Sequence, residues 1–169
     1  MTRTLATMFV VASTLSFGAV AHAADAEFLK SLDGNWGGKG SVKVEADSTP
    51  INVSCKFSSD TTESSMALDG SCTGMVVVSR AIGATIKTDG KSYKGTYIGS
   101  STGPAGLSGK RSGNALDLGI RWAKDVNGDR SAKLRLEKVG DNGMRLTTVD
   151  TDPATGQSVV ISEINLRRL

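Results

Sequence analysis

Residues 115–139 read ALDLGIRWAKDVNGDRSAKLRLEKV, and this stretch decides the fold. Leu116, Leu118, Ile120 and Trp122 recur at every second position, and Ala132, Leu134 and Leu136 repeat the spacing beyond Asn127-Gly128. A period of two sends alternate side chains to opposite faces of a strand. Asn-Gly between two such runs is a favoured two-residue hairpin centre, because both central residues of a type I′ turn need positive φ. Lys133, Arg135 and Glu137 fall between the apolar positions, so the hairpin has one dry face and one wet face.

The same pattern runs through most of the chain. Alternation predicts strands over residues 37–46, 51–58, 65–74, 81–88, 92–100, 104–110, 115–123, 130–138, 144–151 and 157–167. A short helix is predicted over 25–32, capped by Asp25. Asp89-Gly90 and Asn142-Gly143 read as further hairpin dipeptides, and residues 111–114 and 152–156 as longer turns. Connections this short leave little room for crossovers. The expected fold is therefore all-β: an antiparallel up-and-down β-barrel of about ten strands, which buries its apolar face and loses its edges by closing on itself. An outer-membrane barrel would need an apolar exterior, against the many Lys, Arg and Asp residues in these strands. The run Tyr93-x-Gly95-x-Tyr97-x-Gly99, continued by Gly106 and Gly109, suits strong curvature. It allows two readings: room for a ligand beside the tyrosines, or tyrosines covering glycines in a filled barrel.

The chain has 169 residues, 22% of them charged and 38% apolar, an ordinary globular balance that excludes disorder and a polytopic membrane protein. Arg3, an uncharged apolar or small stretch from Leu5 to Val20, and Ala21-His22-Ala23 have the layout of a secretory signal peptide cleaved before Ala24. The expected organisation is a signal peptide over 1–23 and a single barrel domain over 24–169, periplasmic or secreted. Processing would remove His22, the only histidine, and Arg3, lowering the net charge of +3 by one. The processed chain has no imidazole to act as base or metal ligand, and its scattered basic residues form no nucleic-acid-binding stripe. An oxidising compartment favours a disulfide between Cys55 and Cys72, the only cysteines. A hairpin turning near Glu63 and Ser64 places them opposite one another on one face.

Motifs of enzymatic chemistry are missing: there is no G-x-S-x-G elbow, H-E-x-x-H, phosphate loop or Rossmann fingerprint. Asp117, Asp150 and Glu163 lie on strands, where surface charge is their ordinary role. Asp125-x-Asn127-x-Asp129 has the start of an oxygen-ligand loop but lacks the glycine and the later glutamate of an EF-hand, and the hairpin turn already explains it. Asp150-Thr151-Asp152, followed by Gly156, is explained as a turn in the same way. No enzyme activity, cofactor or metal is expected.

The segment Leu32-Asp33-Gly34-Asn35-Trp36-Gly37-Gly38-Lys39-Gly40 resembles the opening of calycin-type barrels, where a Gly-x-Trp begins the first strand. Its form G-x-W-x-G-x-G is most similar to the nitrobindin group, and lipocalins and fatty-acid-binding proteins share the core of the motif. The resemblance implies that Trp36 plugs one barrel end, with a basic residue of the last strand over its ring. Arg167 and Arg168 occupy the matching place. Nitrobindins hold haem iron through a histidine near the C-terminus, and no histidine follows His22, so haem ligation of that type is excluded. Met66, Met75 and Met144 carry sulfur, but a methionine in an alternating strand is ordinarily core filling. The leading expectation is an exported, non-catalytic barrel binding a small apolar or amphiphilic ligand in its interior. Trp36, Tyr93, Tyr97, Trp122 and Arg168 would line or cap the site, with Arg168 able to meet a carboxylate or phosphate. The alternative is a filled barrel that contacts another cell-envelope protein. Neither expectation specifies an oligomeric state, and no membrane span remains after cleavage.

Overall fold

The computed structural model describes residues 18–74, 78–99 and 101–169, so most of the proposed leader and Met75 lie outside the described residues. Helix α1 (Gly18–Ser31) leads into β1 (Gly34–Val42), β2 (Ile51–Thr61), β3 (Ser65–Gly74), β4 (Val78–Thr88) and β5 (Tyr93–Ile98). There follow β6 (Ala105–Ser112), β7 (Ala115–Val126), β8 (Asp129–Val139), β9 (Gly143–Thr151) and β10 (Ser158–Arg168). Each strand pairs with the next, and β10 returns to pair antiparallel with β1, from Trp36 opposite Arg168 to Val42 opposite Ser162. The result is a closed ten-stranded barrel with no free edge.

The expected strands all form, and the differences lie at their ends. Helix α1 starts at Gly18, so Asp25 is not its cap but an interior residue, whose carboxylate pairs with Arg111 instead. Strand β1 stops at Val42, short of residue 46, because Ser48 Oγ accepts hydrogen bonds from the Val44 and Glu45 amides and turns the chain away. Of the three hairpin dipeptides, Asn127-Gly128 has positive φ at both residues (51° and 90°) and forms the two-residue turn. At Asp89-Gly90 the Asp89 carboxylate accepts the Lys91 and Ser92 amides in a longer loop. Near Asn142 the positive φ falls on Gly140, and Gly143 already belongs to β9. Residues 111–114 are a tighter connection than expected: Ser112 pairs with Ala115 across Gly113-Asn114, with Gly113 at φ 60°.

Inward-facing residues form one continuous core that includes Phe57, Met66, Leu68, Ile86, Leu107, Leu118, Leu136, Met144 and Leu166. Met66 and Met144 are thus filling. Cys55 and Cys72 pair in register and form the expected disulfide inside the barrel. The glycines answer the curvature question. A Cβ on Gly95 would overlap the Thr85 carbonyl oxygen, and one on Gly109 would overlap that of Asp117. These positions are occupied by the neighbouring strand's backbone, bent inward by barrel coiling, and they leave no void for a ligand.

Candidate functional site at the open end

The two ends of the barrel differ. At the end carrying α1, Phe28, Leu29 and Leu32 enter the core, and the inner wall is sealed: Trp36, Leu116, Met66, Ile86, Met144 and Tyr93 are all buried. The Trp36 indole N–H donates to the Leu32 carbonyl at 3.0 Å. Arg168 lies over the Trp36 ring, 4.5 Å from its centroid, and its guanidinium donates to the Ser31 and Asp33 carbonyls. A cation held over indole is worth about 0.5–2 kcal/mol. Arg111 closes the other side of the plug: it pairs with Asp25 at 2.7 Å and sits 5.4 Å from the Phe28 ring centroid. The Tyr93 hydroxyl is buried beside Asp25 without a well-formed hydrogen bond. Burial, with the Asp25 charge second, pushes its pKa well above the ordinary value for a phenol.

At the opposite end Val53, Ile82, Tyr97 and Val126 line the same inner wall but are only partly buried. Tyr97 and Trp122 meet edge to face, with ring centroids 5.9 Å apart. Pairing of β7 with β8 is irregular between Arg121 and Val126. There the Trp122 carbonyl instead accepts from Arg130 Nε and Nη2 at 3.1 and 3.0 Å, which fixes the tryptophan at the mouth. The Trp122 residue is 6% exposed, and its indole Nε1–H is buried with no hydrogen-bond partner among the described residues. Ser59 Oγ and Tyr93 Oη likewise have no partner among the described residues, but both belong to the sealed end. A buried unsatisfied donor costs about 1–3 kcal/mol, a cost that a bound acceptor would relieve.

Arg80 pairs with inward-facing Cys72 and shares a strand face with Ile82, Ala84 and Ile86. It therefore stands on the inner register of the rim, exposed, with Nη1 donating to the Gly99 carbonyl at 3.3 Å. The Tyr97 hydroxyl reaches the same glycine, where a Cβ would come within 2.5 Å of it. Burial raises the Tyr97 pKa, and the Arg80 charge offsets part of that rise. Asp150 completes the wall, accepting from Asn127 Nδ2 and the Thr151 amide, each at 2.8 Å.

The five residues singled out from sequence therefore divide. Tyr97 and Trp122 come together at the open end, while Trp36, Tyr93 and Arg168 belong to the sealed end. Arg80 and Arg130 were missed, although the alternation of β4 already puts Arg80 on the face of Ile82 and Ala84. Two depressions, of about 520 and 350 Å³, lie outside the barrel, one over β3–β5 around Ala67, Thr85 and Thr96, the other around Arg145 and Asn165.

Fold and site define a small antiparallel barrel plugged by a helix at one end, with an inner wall that is only partly buried at the other among the described residues. Among solved structures it is similar to the crystal structure of Rv2717c from M. tuberculosis, with 11% sequence identity and a TM-score of 0.64, over 87% of this chain and 98% of that one. At that identity the likeness establishes the fold alone. No protein-family model matches the chain, and no curated protein matches it.

Proposed function

We propose that this is an exported, non-catalytic barrel that holds a small amphiphilic molecule at its open end. The observation that carries the reading is the Trp122 indole N–H, buried without an acceptor among the described residues, beside Tyr97 where the inner wall is only partly buried. Side chains fill the barrel beneath, so the ligand sits in the mouth and not deep in the interior. Export is supported by the leader-like start and by the Cys55–Cys72 disulfide, and among the described residues no helix is long and apolar enough to cross a membrane. Kinship with calycin-type barrels is supported by Gly34-Asn35-Trp36 at the start of β1 and by Arg168 over Trp36. The non-catalytic reading rests on the dispersal of the strand carboxylates. Asp117 pairs with Arg135 outside the barrel, Asp150 faces inward under Asn127, and Glu163 is exposed beside Asn165.

A second reading, a filled barrel that contacts another envelope protein, is favoured by the continuous core and by Ile98 and Val160, which are exposed near the open rim. Native mass spectrometry of protein purified from its own host separates the two. A small molecule that co-purifies and is released on denaturation is the expected result. A homogeneous ligand-free mass, with envelope crosslinks through the rim, would support the second reading instead.

A further inference from the structure

Asparagine followed by glycine is a chemically labile pair, because glycine has no side chain to keep its backbone nitrogen away from the Asn carboxamide carbon. The chain has two such pairs, Asn127-Gly128 between β7 and β8 and Asn142-Gly143 between β8 and β9, so one lies at each end of the barrel. The fold treats them oppositely. Asn127 is half-buried, and its Nδ2 donates to Asp150 Oδ2 at 2.8 Å. Asp150 is 5% exposed, and Asp125 and Asp129 flank the turn, so this carboxamide is held in place among negative charges. Asn142 is exposed, and its carboxamide has no hydrogen-bond partner among the described residues. It lines the depression of about 350 Å³ together with two cations, Arg145 and Arg167. Asp141 precedes it, but is exposed and lies beside Lys138, whose Nζ donates to the Gly140 and Asp141 carbonyls. Cyclisation passes through a deprotonated backbone nitrogen and an oxyanion, both favoured by nearby cations and opposed by carboxylates.

We propose that Asn142 is a modification site that deamidates spontaneously in the folded protein, while Asn127 is protected. The deprotonated Gly143 nitrogen attacks Asn142 Cγ, and the amide nitrogen takes up the proton and leaves as ammonia, which closes a succinimide. Water then opens the ring. Breaking the new Cγ–N bond gives aspartate, whereas breaking the original main-chain bond to the same nitrogen gives isoaspartate, with the backbone routed through the side chain. The two products differ in their effect on the fold. The Asn142 carbonyl accepts the Arg168 amide at 3.0 Å, next to the contact of Arg168 with Trp36. Aspartate keeps that carbonyl and adds a carboxylate to a depression lined by arginines. Isoaspartate lengthens the main chain by one carbon and displaces the carbonyl, so it loosens the β1–β10 closure at the sealed end.

Peptide mapping of the processed full chain during incubation at mildly alkaline pH tests the site, because trypsin separates the two pairs into peptides 125–130 and 139–145. In the folded protein, conversion of amide to acid is expected about tenfold faster in 139–145 than in 125–130, and in urea the two rates should converge. Equal rates in the folded protein, a faster 125–130, or a ratio that urea leaves unchanged would overturn the assignment. The effect on closure is read by comparing isoaspartate-containing protein with Asn142→Asp in urea denaturation, with equally aged Asn142→Ser as the control for damage elsewhere. A lowered midpoint in the isoaspartate form alone is expected. An unchanged midpoint, or an equal loss in Asn142→Asp or in the aged control, would overturn the link to closure.

Discussion

Arg168, on the last strand, lies over the ring of Trp36, on the first, at 4.5 Å from the centroid, and the two residues are also direct partners in the β1–β10 pairing. This contact sits at one end of the β1–β10 ladder that closes the barrel, caps the most buried aromatic side chain and ties both to the end of the helix and the turn after it through the Ser31 and Asp33 carbonyls.

Removing either member should therefore loosen the closure. Trp36→Ala is expected to cost about 3–5 kcal/mol, as for other buried aromatics. Arg168→Ala is expected to cost about 1–3 kcal/mol, from the lost cation–π contact and charged hydrogen bonds. Urea denaturation measures both, and an unchanged midpoint in either variant contradicts the assignment.

The disulfide staples β2 to β3 across a sequence separation of 17. Replacing Cys55 and Cys72 together by alanine should lower stability by about 2–4 kcal/mol. Guanidinium unfolding of the oxidised parent and the double variant gives the difference directly.

Tyr93 and Tyr97 are the only tyrosines, and burial raises the pKa of both above the ordinary phenol value. An unfolded tyrosine titrates near pH 10, roughly. Ionisation is thus harder in the folded state, so the stabilising contribution is complete below that pH and is lost as pH rises through the raised folded values. Tyrosinate absorbance of the native protein should stay flat where free tyrosine titrates, then rise together with unfolding. Tyr93→Phe should remove much of the alkaline loss. At neutral pH it should be neutral or stabilising by up to about 1 kcal/mol, because it deletes a buried donor that has no well-formed hydrogen bond among the described residues.

The Asp25–Arg111 pair fixes α1 against β6 with both side chains largely covered. Asp25→Ala should cost about 1–3 kcal/mol, since it leaves Arg111 partly buried without its counter-charge. Hydrogen exchange of the α1 amides should increase in this variant ahead of global unfolding.

The barrel could be read in the sequence because its signals are local. Alternation in residues 116–122 and 132–136 fixes which face is buried, and Asn127-Gly128 fixes the turn between them. The Cys55–Cys72 register followed from the same parity. The site was less legible, because residue type does not say which end of a cylinder a side chain occupies. Tyr93 and Tyr97 are four residues apart on one strand face, yet one is sealed under α1 and the other stands at the mouth. The difference depends on where the helix packs, a tertiary fact without a local pattern. Glycine spacing likewise suggested either space or curvature, and only the carbonyl oxygens of Thr85 and Asp117 decide for curvature.

The central claim, a barrel sealed around Trp36 and open at Trp122, is tested most directly by the two indole N–H signals in a proton–nitrogen NMR spectrum. On titration with octanoate, the Trp122 signal should shift as its N–H gains an acceptor, while the Trp36 signal, already bonded to the Leu32 carbonyl, should stay in place. A shift confined to Trp36, or no shift of either signal at saturating octanoate, would contradict it.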